Sequence, residues 1–220
     1  MKAGIDEIRI FDYGAGNLHS LVKAIAPGAR EISVETDLRR AANGDLLVLP
    51  GVGAFGTAAA AMGNQQSWLA DALAEGLPCL GICLGMQLLF DCSEESAGKG
   101  IGLIPGKVTR LRTSRVPHMG WNQIEWTASA GPVECGVRAN GTDAKARPGI
   151  RLDTAYFANA YICEPEDDSP ILAWATHEDT RFASVVRRAN TVGVQFHPEK
   201  SSRAGGAFIN ALIEELLECR

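Results

Sequence analysis

The chain has 220 residues, of which 46% are hydrophobic and 21% are charged, and its formal net charge is −5. This length and composition indicate a single globular domain over residues 1–220. Basic residues form no cluster that would suit a nucleic-acid face, no apolar run reaches the roughly 18 residues of a membrane span, and the first residues lack a signal-peptide pattern. We therefore expect a cytoplasmic protein that binds neither nucleic acid nor membranes.

The first half of the chain alternates short apolar runs with helical patterns. We predict strands over 8–13, 31–36, 46–50 and 78–83, and helices over 17–25, 57–62 and 66–76. The run LLVLP (46–50) lacks polar alternation, which indicates a strand that is covered on both faces. This pattern predicts an α/β fold with a mostly parallel central sheet flanked by helices.

After residue 104 the pattern changes to short strand-like runs separated by turn residues. These runs are KVTRLR, NQIEWT, AYFANAYIC, ILAWATH, FASVVRR and TVGVQFH. We expect additional antiparallel strands in this C-terminal half, a hairpin around Ala189-Asn190 and a final helix from about Ala207 to Leu217. The stretch 128–149 is rich in Gly, Ala and Pro and is interpreted as an excursion loop.

The six cysteines are scattered and include no Cys-x-x-Cys pair. The count is low for a disulfide scaffold, so we expect reduced thiols. No histidine or further cysteine stands at finger-like spacing from Cys79 and Cys83, and we therefore predict no metal site.

Cys83 stands between Gly81 and Gly85, where an apolar strand is followed by the helical run LGMQLLF. A nucleophile on a sharp strand-to-helix turn is pushed out of the fold, and small residues two places on either side avoid a collision. The amides at the start of the helix favour a thiolate, and the amide of Leu84 can point at an oxyanion. Gly-x-Cys-x-Gly also fits a buried structural cysteine, so the motif needs a partner base.

His197 offers that base. It ends an apolar strand in GVQFHPEKS and is followed by Pro198 and Glu199. Residues two apart in an extended segment point to the same side, which suits a carboxylate that orients an imidazole. The sequence therefore predicts a Cys83–His197–Glu199 triad.

The loop LPGVGAF follows the third predicted strand and contains Gly51, Val52 and Gly53. Loops at the carboxyl ends of parallel strands meet at one edge of a sheet, where ligands bind, and glycines let backbone amides approach a substrate closely. We predict that the amides of Val52 and Leu84 form an oxyanion pair, although a plain strand-to-helix turn would give the same pattern.

Two further motifs remain open on the residues alone. Gly14-x-Gly16 follows a strand, but His19 replaces the third glycine of a dinucleotide fingerprint, so a polar contact loop fits better. PHMGWNQI contains Trp121 and Asn122, where an exposed Trp would indicate an interface and a buried one a core residue.

Taken together, GICLGMQ, PGVG and GVQFHPEKS resemble the class I, or triad, glutamine amidotransferases. DYGAGNLHS, GLIPGKVTRL and PHMGWN narrow this resemblance to the glutaminase subunits of imidazole glycerol phosphate synthase, over about residues 8–218. The resemblance implies thioester chemistry without a cofactor, in which Cys83 attacks the side-chain amide of glutamine. Gly51 and Gln87 match family positions near the bound glutamine.

The resemblance also implies a heterodimer with a separate (β/α)8 cyclase subunit, which receives ammonia through a tunnel. That subunit makes imidazole glycerol phosphate and aminoimidazole carboxamide ribotide in histidine biosynthesis. A partner is also expected physically, because one glutaminase domain leaves no room for a synthase and free ammonia would be lost to solvent. Lys200 and Tyr161 match family positions near the interface, and Asn17, Trp121 and Asn122 are further candidates.

The sequence departs from the family at two places. Asn159 and Ala160 stand where the family commonly has a His-Ser pair, and the stretch 128–149 fits poorly. Both departures leave open whether the partner is the histidine-pathway cyclase or a paralogous synthase. A non-catalytic regulatory subunit is a third alternative, which the intact triad argues against.

Overall fold

The computed structural model of the protein describes residues 6–14, 16, 18–27, 31–128 and 151–219. All but the first residue of the predicted excursion loop lies outside these residues. The strands in chain order are β1 (Glu7–Phe11), β2 (Glu31–Glu35), β3 (Leu46–Leu49), β4 (Cys79–Ile82), β5 (Cys92–Ser93), β6 (Gly106–Arg110), β7 (His118–Gln123), β8 (Glu125–Trp126), β9 (Thr154–Asn159), β10 (Tyr161–Pro165), β11 (Ile171–His177), β12 (Thr180–Arg188) and β13 (Thr191–Val194). The helices are α1 (His19–Ile25), α2 (Leu38–Ala41), α3 (Phe55–Ala61), α4 (Gln66–Ala74), α5 (Leu84–Gln87) and α6 (Ser202–Glu218), with a 3-10 turn over Pro198–Lys200.

An eight-stranded sheet forms the centre of the fold, in the order β2-β1-β3-β4-β13-β12-β11-β8. The first five strands are parallel, and β12, β11 and β8 continue the sheet in antiparallel pairs. The predicted α/β class is therefore confirmed, including the additional antiparallel strands of the C-terminal half. The predicted hairpin joins β12 to β13 through Ala189, which has a positive φ of 49°.

The central strands β3, β4 and β13 are buried at every residue. Their side chains alternate between two apolar clusters, with Val48 in the cluster on one face of the sheet and Leu47 and Leu49 in the cluster on the other. Each fully buried aliphatic side chain of this kind contributes roughly 1.5–3 kcal/mol. The absence of polar alternation in LLVLP thus reflects burial on both faces, as predicted.

The carboxyl ends of these three strands lie side by side. Leu49 pairs with Gly81, and Val194 pairs with Ile82. The chain segments that follow the three strands therefore leave the sheet at one edge. These segments are the loop 50–54, Cys83 and the stretch 195–199, and they hold the predicted triad and oxyanion residues.

Two smaller sheets, β10-β6-β5 and β7-β9, cover part of this edge region. They correct the prediction that AYFANAYIC is one strand, because the run divides at Ala160 into β9 and β10 of different sheets. NQIEWT likewise divides between β7 and β8. Strand pairing depends on tertiary neighbours, and no Gly, Pro or Asn-Gly turn marks Ala160 as a break.

Two helices differ from their predicted bounds. α6 begins at Ser202 rather than near Ala207, and its first turn contains Gly205, where a Cβ would stand 2.5 Å from that of Ser201. Close packing against the 3-10 turn thus requires glycine at position 205, and this glycine weakens the helical pattern that the sequence shows before Ala207. α5 ends at Gln87, so it is a single turn and its dipole gives the thiol less support than the longer run LGMQLLF predicts.

The described cysteines differ in their bonding. Cys79, Cys83, Cys92 and Cys163 are free, as predicted, but Cys219 is disulfide-bonded, which corrects the expectation of reduced thiols at that position.

Within the described residues, no helix combines the length and the apolar character that a membrane crossing demands.

Candidate active site

Cys83 stands on a sharp turn between β4 and α5. Its backbone has φ 46° and ψ −101°, a conformation that costs a non-glycine residue about 1–3 kcal/mol. Its amide donates to the carbonyl of Val194 at 2.7 Å, so the turn is fixed to β13. The structure therefore has the strained nucleophile geometry that Gly-x-Cys-x-Gly indicates.

The two flanking glycines are required by close packing. A Cβ at Gly81 would stand 2.7 Å from the carbonyl carbon and oxygen of Gly85. A Cβ at Gly85 would overlap the carbonyl oxygen of Leu49 at the end of β3. Larger residues would push the turn away from the sheet and displace Cys83.

His197 and Glu199 lie together in the segment that follows β13. The Nδ1 atom of His197 is 2.7 Å from Oε1 of Glu199, and the imidazole is 2% exposed. The amide of His197 donates to the carbonyl of Tyr156 at 2.9 Å. Ser201 Oγ donates to the carbonyl of His197 at 2.6 Å and accepts from the amide of Tyr156 at 2.9 Å. This network fixes the backbone of His197 against β9.

Gly51 shows that Cys83 and His197 are adjacent. A Cβ placed on Gly51 would stand 3.2 Å from Cβ of Cys83 and 3.0 Å from Cε1 of His197. The two side chains therefore meet over Gly51, and any side chain at this position would enter the space between them. The structure brings together all three residues of the predicted triad.

The pKa of His197 reflects this environment. Burial alone would lower it, but hydrogen bonds to Cys83 and Glu199 and the negative charges of both groups raise it from 6.5 to about 9. A proton on the imidazole is thus stabilised between a thiolate and a carboxylate. The imidazole therefore keeps its proton at neutral pH.

The predicted oxyanion loop is anchored at both ends. Tyr13, which is buried, donates its hydroxyl to the carbonyl of Pro50. On the other side, the amide of Phe55 donates to Oε2 of Glu95 at 2.7 Å. Between these anchors, Gly51, Val52 and Gly53 cross the mouth of the site, and the side chain of Val52 is 37% exposed.

Gly53 brings the loop to the start of α5. It has a positive φ of 130°, and a Cβ there would be 3.4 Å from Cδ2 of Leu84. The two segments that carry the predicted oxyanion amides are therefore in contact. The role of the Val52 and Leu84 amides stays a prediction.

Gln87, the predicted glutamine contact, is buried beside Cys83 and donates Nε2 to the carbonyl of Tyr161 at 3.3 Å. It also approaches Oε1 of Gln195 at 3.5 Å. Gln195 is fully buried and points Nε2 at Sγ of Cys83, 3.5 Å away. Gln195 was not predicted from the sequence, although it stands two residues before His197, the same spacing that pointed to Glu199.

The predicted interface residues lie in different environments. Trp121 and Lys200 are exposed, whereas Tyr161 is half-buried. The side chain of Asn122 is used inside the fold, since Nδ2 donates to the carbonyl of Thr176 at 2.9 Å and Oδ1 accepts from the amide of Gln123 at 2.8 Å. Asn17 lies outside the described residues.

No group of three or more His, Cys, Asp or Glu side chains suited to holding a metal ion occurs in the described part of the chain. Gly14 has a positive φ of 83°, a Cβ added to it would meet nothing within 4 Å, and its amide donates to Oδ1 of Asp12 at 2.9 Å. The Gly14-x-Gly16 segment thus begins with a local turn stabilised by Asp12.

A parallel sheet that presents a thiol on a strained turn, beside a buried histidine–glutamate pair, is typical of acyl-transfer enzymes with a cysteine nucleophile. Comparison with known families agrees with this class. The family model described as Glutamine amidotransferase class-I matches residues 9–214, and the chain belongs to that family.

Relatives of similar length are known from several organisms. The chain is 36% identical over 214 residues to the imidazole glycerol phosphate synthase subunit HisH of Gloeothece citriformis, covering 95% of this chain and 96% of that protein. It is 39% identical over 205 residues to the subunit of the same name from Thermus thermophilus, covering 91% and 93%. The corresponding figures for Pyrococcus furiosus are 39% over 203 residues, covering 91% and 95%.

Solved structures share the fold at low sequence identity. The structure of PurLQS from Thermotoga maritima superposes with a TM-score of 0.68 at 17% identity, covering 98% of this chain and 99% of that one. A glutamine amidotransferase from Thermotoga maritima gives a TM-score of 0.63 at 15% identity, covering 97% and 98%. These matches establish the fold alone.

Proposed function

We propose that this chain is the glutaminase subunit of imidazole glycerol phosphate synthase. It hydrolyses glutamine to glutamate and supplies the ammonia to a cyclase subunit in histidine biosynthesis. The observation that carries this proposal is the buried His197 between Cys83 and Glu199, with Nδ1 and Oε1 2.7 Å apart. Relatives at 36–39% identity over nearly the whole chain, all named as subunits of that synthase, support it.

The first half-reaction forms a thioester. The Cys83 thiolate attacks the side-chain amide carbon of glutamine, and the carbonyl oxygen becomes an oxyanion that the amides of Val52 and Leu84 stabilise. Imidazolium at His197 gives its proton to the amide nitrogen, the C–N bond breaks and ammonia leaves. The raised pKa of His197 suits this step, because the proton must be present on the imidazole when nitrogen departs.

The second half-reaction releases the glutamyl group from the sulfur of Cys83. Water attacks the glutamyl thioester, neutral His197 accepts its proton, and the C–S bond breaks to release glutamate. The thiolate and the imidazolium are thereby restored. Glu199 orients the imidazole throughout, since its carboxylate accepts from Nδ1. Gln87 lies beside the nucleophile, where it can contact the bound glutamine.

The ammonia needs a partner that consumes it, and we propose a (β/α)8 cyclase subunit. Support for a docking face comes from β7, where Met119 and Trp121 are 64% and 56% exposed, more than the exposed Val34 and Val52 at 47% and 37%. The ring of Trp121 stands edge-on to Tyr156 of β9 at 6.4 Å. Lys200, which is exposed beside the triad segment, is a further proposed contact, and so is Asn17.

One assay tests the activity directly. Glutamate release is measured for the chain alone and with a (β/α)8 cyclase subunit and its nucleotide substrate. We expect release that rises strongly with the loaded cyclase. Cys83→Ala should abolish glutamine-dependent synthesis and leave ammonia-dependent synthesis by the complex intact. Equal loss of both activities would contradict the division of labour between the subunits.

The same assay separates the alternatives. A glutaminase that serves a paralogous synthase would release glutamate but would not respond to the histidine-pathway cyclase. A non-catalytic regulatory subunit would change synthesis without releasing glutamate. One glutaminase domain over residues 1–220 and a cytoplasmic location are parts of this proposal.

A further inference from the structure

Gln195 is a buried polar side chain that the mechanism above leaves without a role. It is 0% exposed, and its amide nitrogen Nε2 stands 3.5 Å from Sγ of Cys83, an ordinary distance for an N–H···S hydrogen bond. Its own backbone amide donates to the carbonyl of Ser184 at 2.9 Å, which ties this residue to β12. A buried amide fixed at both ends has little freedom to turn elsewhere.

The polarity of the Gln195 amide can be worked out from its neighbours. The backbone carbonyl of Tyr161 can only accept hydrogen bonds, and it faces Nε2 of Gln87 at 3.3 Å. The same nitrogen faces Gln195 at 3.5 Å, so the end of Gln195 that faces it must be the oxygen, Oε1. The other end, the donor Nε2, is therefore the one directed at Cys83.

The orientation at Tyr161 is reinforced by a second donor. Nδ2 of Asn159 also donates to the carbonyl of Tyr161, at 3.0 Å. The carbonyl thus serves two side-chain amides, and neither can present its oxygen there. The carbonyl oxygen of Tyr161 in β10 thus determines which end of each amide donates, first in Gln87 and then in Gln195. We call this chain of hydrogen bonds the amide relay, and it ends at the sulfur of Cys83.

We propose that Gln195 is a further donor to the reacting sulfur, which stabilises the Cys83 thiolate and holds Sγ toward the substrate. The inference rests on the glutaminase function proposed above. A hydrogen bond to the charged form of a group favours that form. Once the thioester has formed, the sulfur no longer bears the negative charge and accepts hydrogen bonds weakly, so the donor assists most in the thiolate state.

The position of Gln195 in the chain explains why this residue can reach the sulfur. It is the first residue after β13, and it is followed by His197 and then by Glu199 in the 3-10 turn over Pro198–Lys200. The stretch that supplies the base and its orienting carboxylate therefore also supplies a donor for the nucleophile. One segment thus contacts the sulfur with two groups, an imidazole and an amide.

Other titratable groups around Cys83 define what a pH experiment reads. Among the described residues, His197, Tyr13 and Cys163 interact with Cys83, and the carboxylate of Glu199 bonds to His197. Burial, together with the charge on Cys83, raises the pKa of both Tyr13 and Cys163, so both stay neutral near pH 7. The charged partner of the thiolate is then His197, and a change at Gln195 leaves that partner in place.

The test uses the full chain with Gln195→Met, which removes the amide, and Gln195→Glu, which keeps an oxygen toward Gln87 and replaces the donor with an acceptor. Alkylation of Cys83 by iodoacetamide is followed against pH by peptide mass spectrometry. Cys92 is exposed and serves as the internal reference in the same samples. Turnover is measured in the complex with the cyclase. Gln66→Met is the matched control, since Gln66 donates Nε2 to the carbonyl of Ala59 at 3.1 Å in α3.

We expect the Cys83 alkylation profile to move to higher pH by about one pH unit in Gln195→Met, which corresponds to a tenfold change, or about 1.4 kcal/mol, and further in Gln195→Glu, whose carboxylate would repel the thiolate. At a pH below the midpoint of that profile we expect kcat to fall about tenfold, because about a tenth as much of the sulfur is thiolate, while KM for glutamine stays within about threefold. Cys92 and the Gln66→Met control should show no change. Glutamate release by the unaltered chain tests the proposed function, whereas alkylation reads the sulfur without turnover, so the two can fail separately.

A Cys83 profile in Gln195→Met that coincides with that of the unaltered chain would overturn the proposal. So would a rise in KM with kcat unchanged, because Gln195 would then bind substrate uniformly instead. A second measurement needs no Gln195 variant. In chain labelled with nitrogen-15 at glutamine side chains, the Nε2 protons of Gln195 should shift as Cys83 ionises and should not shift in Cys83→Ala. Identical titration in both chains would also refute the donor.

Discussion

Replacing Glu199 with Gln tests how the triad holds its proton. The pKa of His197 rises from 6.5 to about 9 against the effect of burial, which corresponds to about 3 kcal/mol. Two groups provide it, the Cys83 side chain and the carboxylate 2.7 Å from Nδ1. If Glu199 supplies about half and the same amount is lost from the transition state, in which the imidazole also carries the proton, the cost is roughly 2 kcal/mol, or about 20-fold in rate. We therefore expect kcat for glutamine hydrolysis to fall about 20-fold in Glu199→Gln.

The assay is the pH dependence of kcat/KM for glutamate release in the complex with the cyclase subunit. Its alkaline limb reports the imidazolium of the free enzyme and should move from near pH 9 to lower pH by about one pH unit. Glu215→Gln is the control, because Glu215 also lies 2.7 Å from a cation, the guanidinium of Arg187, and is part of α6. An unmoved alkaline limb with kcat within about twofold would refute the reasoning that Glu199 stabilises the imidazolium.

Three further predictions concern Gly51, the backbone of Cys83 and the pKa of His197. Gly51→Ala should lower kcat about tenfold, because its Cβ would stand 3.0 Å from Cε1 of His197 and would displace the imidazole by a few tenths of an ångström. Gly206→Ala, with open space around it, is the control that should retain full glutaminase activity. Cys83→Gly should be more stable to urea than Cys83→Ala by about 1 kcal/mol, because φ at this position is positive. If the alanine variant were the more stable of the two, as is usual in helices and strands, the turn would not be strained. The pKa of His197 is raised in the folded state, so its contribution to the free energy of unfolding should be full below pH 6.5 and lost as the pH rises through about 9. Urea titrations of the unaltered chain should therefore show a loss of stability of up to about 3 kcal/mol over this range relative to His197→Asn. Parallel stability profiles of the two chains would exclude this contribution.

The central sheet and the positions of the triad residues were accessible from the sequence because local rules determine them. Fully apolar runs such as LLVLP mark strands covered on both faces, and the carboxyl ends of such strands must meet at one edge. Cys83 and His197 each follow one of these strands, so their proximity follows from topology once the sheet is parallel. The spacing rule for extended segments also led to Glu199, although the structure places that residue in the 3-10 turn over Pro198–Lys200.

The parts that sequence reasoning missed depend on tertiary contacts. Ala160 breaks a continuous apolar run because β9 pairs with β7 while β10 pairs with β6, and neither pairing leaves a local signal. α6 begins at Ser202 because Gly205 packs against the carbonyl of Pro198, a contact that a helical pattern does not encode. Gln195 was open to the same spacing rule as Glu199, but its role becomes visible only when the carbonyl of Tyr161 fixes the polarity of the relay.

The break at Ala160 has a consequence for how a partner can influence catalysis. It leaves β9 free to form a two-stranded ribbon with β7, whose outer face exposes Trp121 against Tyr156. On the inner side, the carbonyl of Tyr156 accepts from the amide of His197, and its amide donates to Ser201. If a partner subunit docks on Trp121, as proposed, it presses on the element that fixes the backbone of His197, so docking and the geometry of the proposed base are coupled through β9.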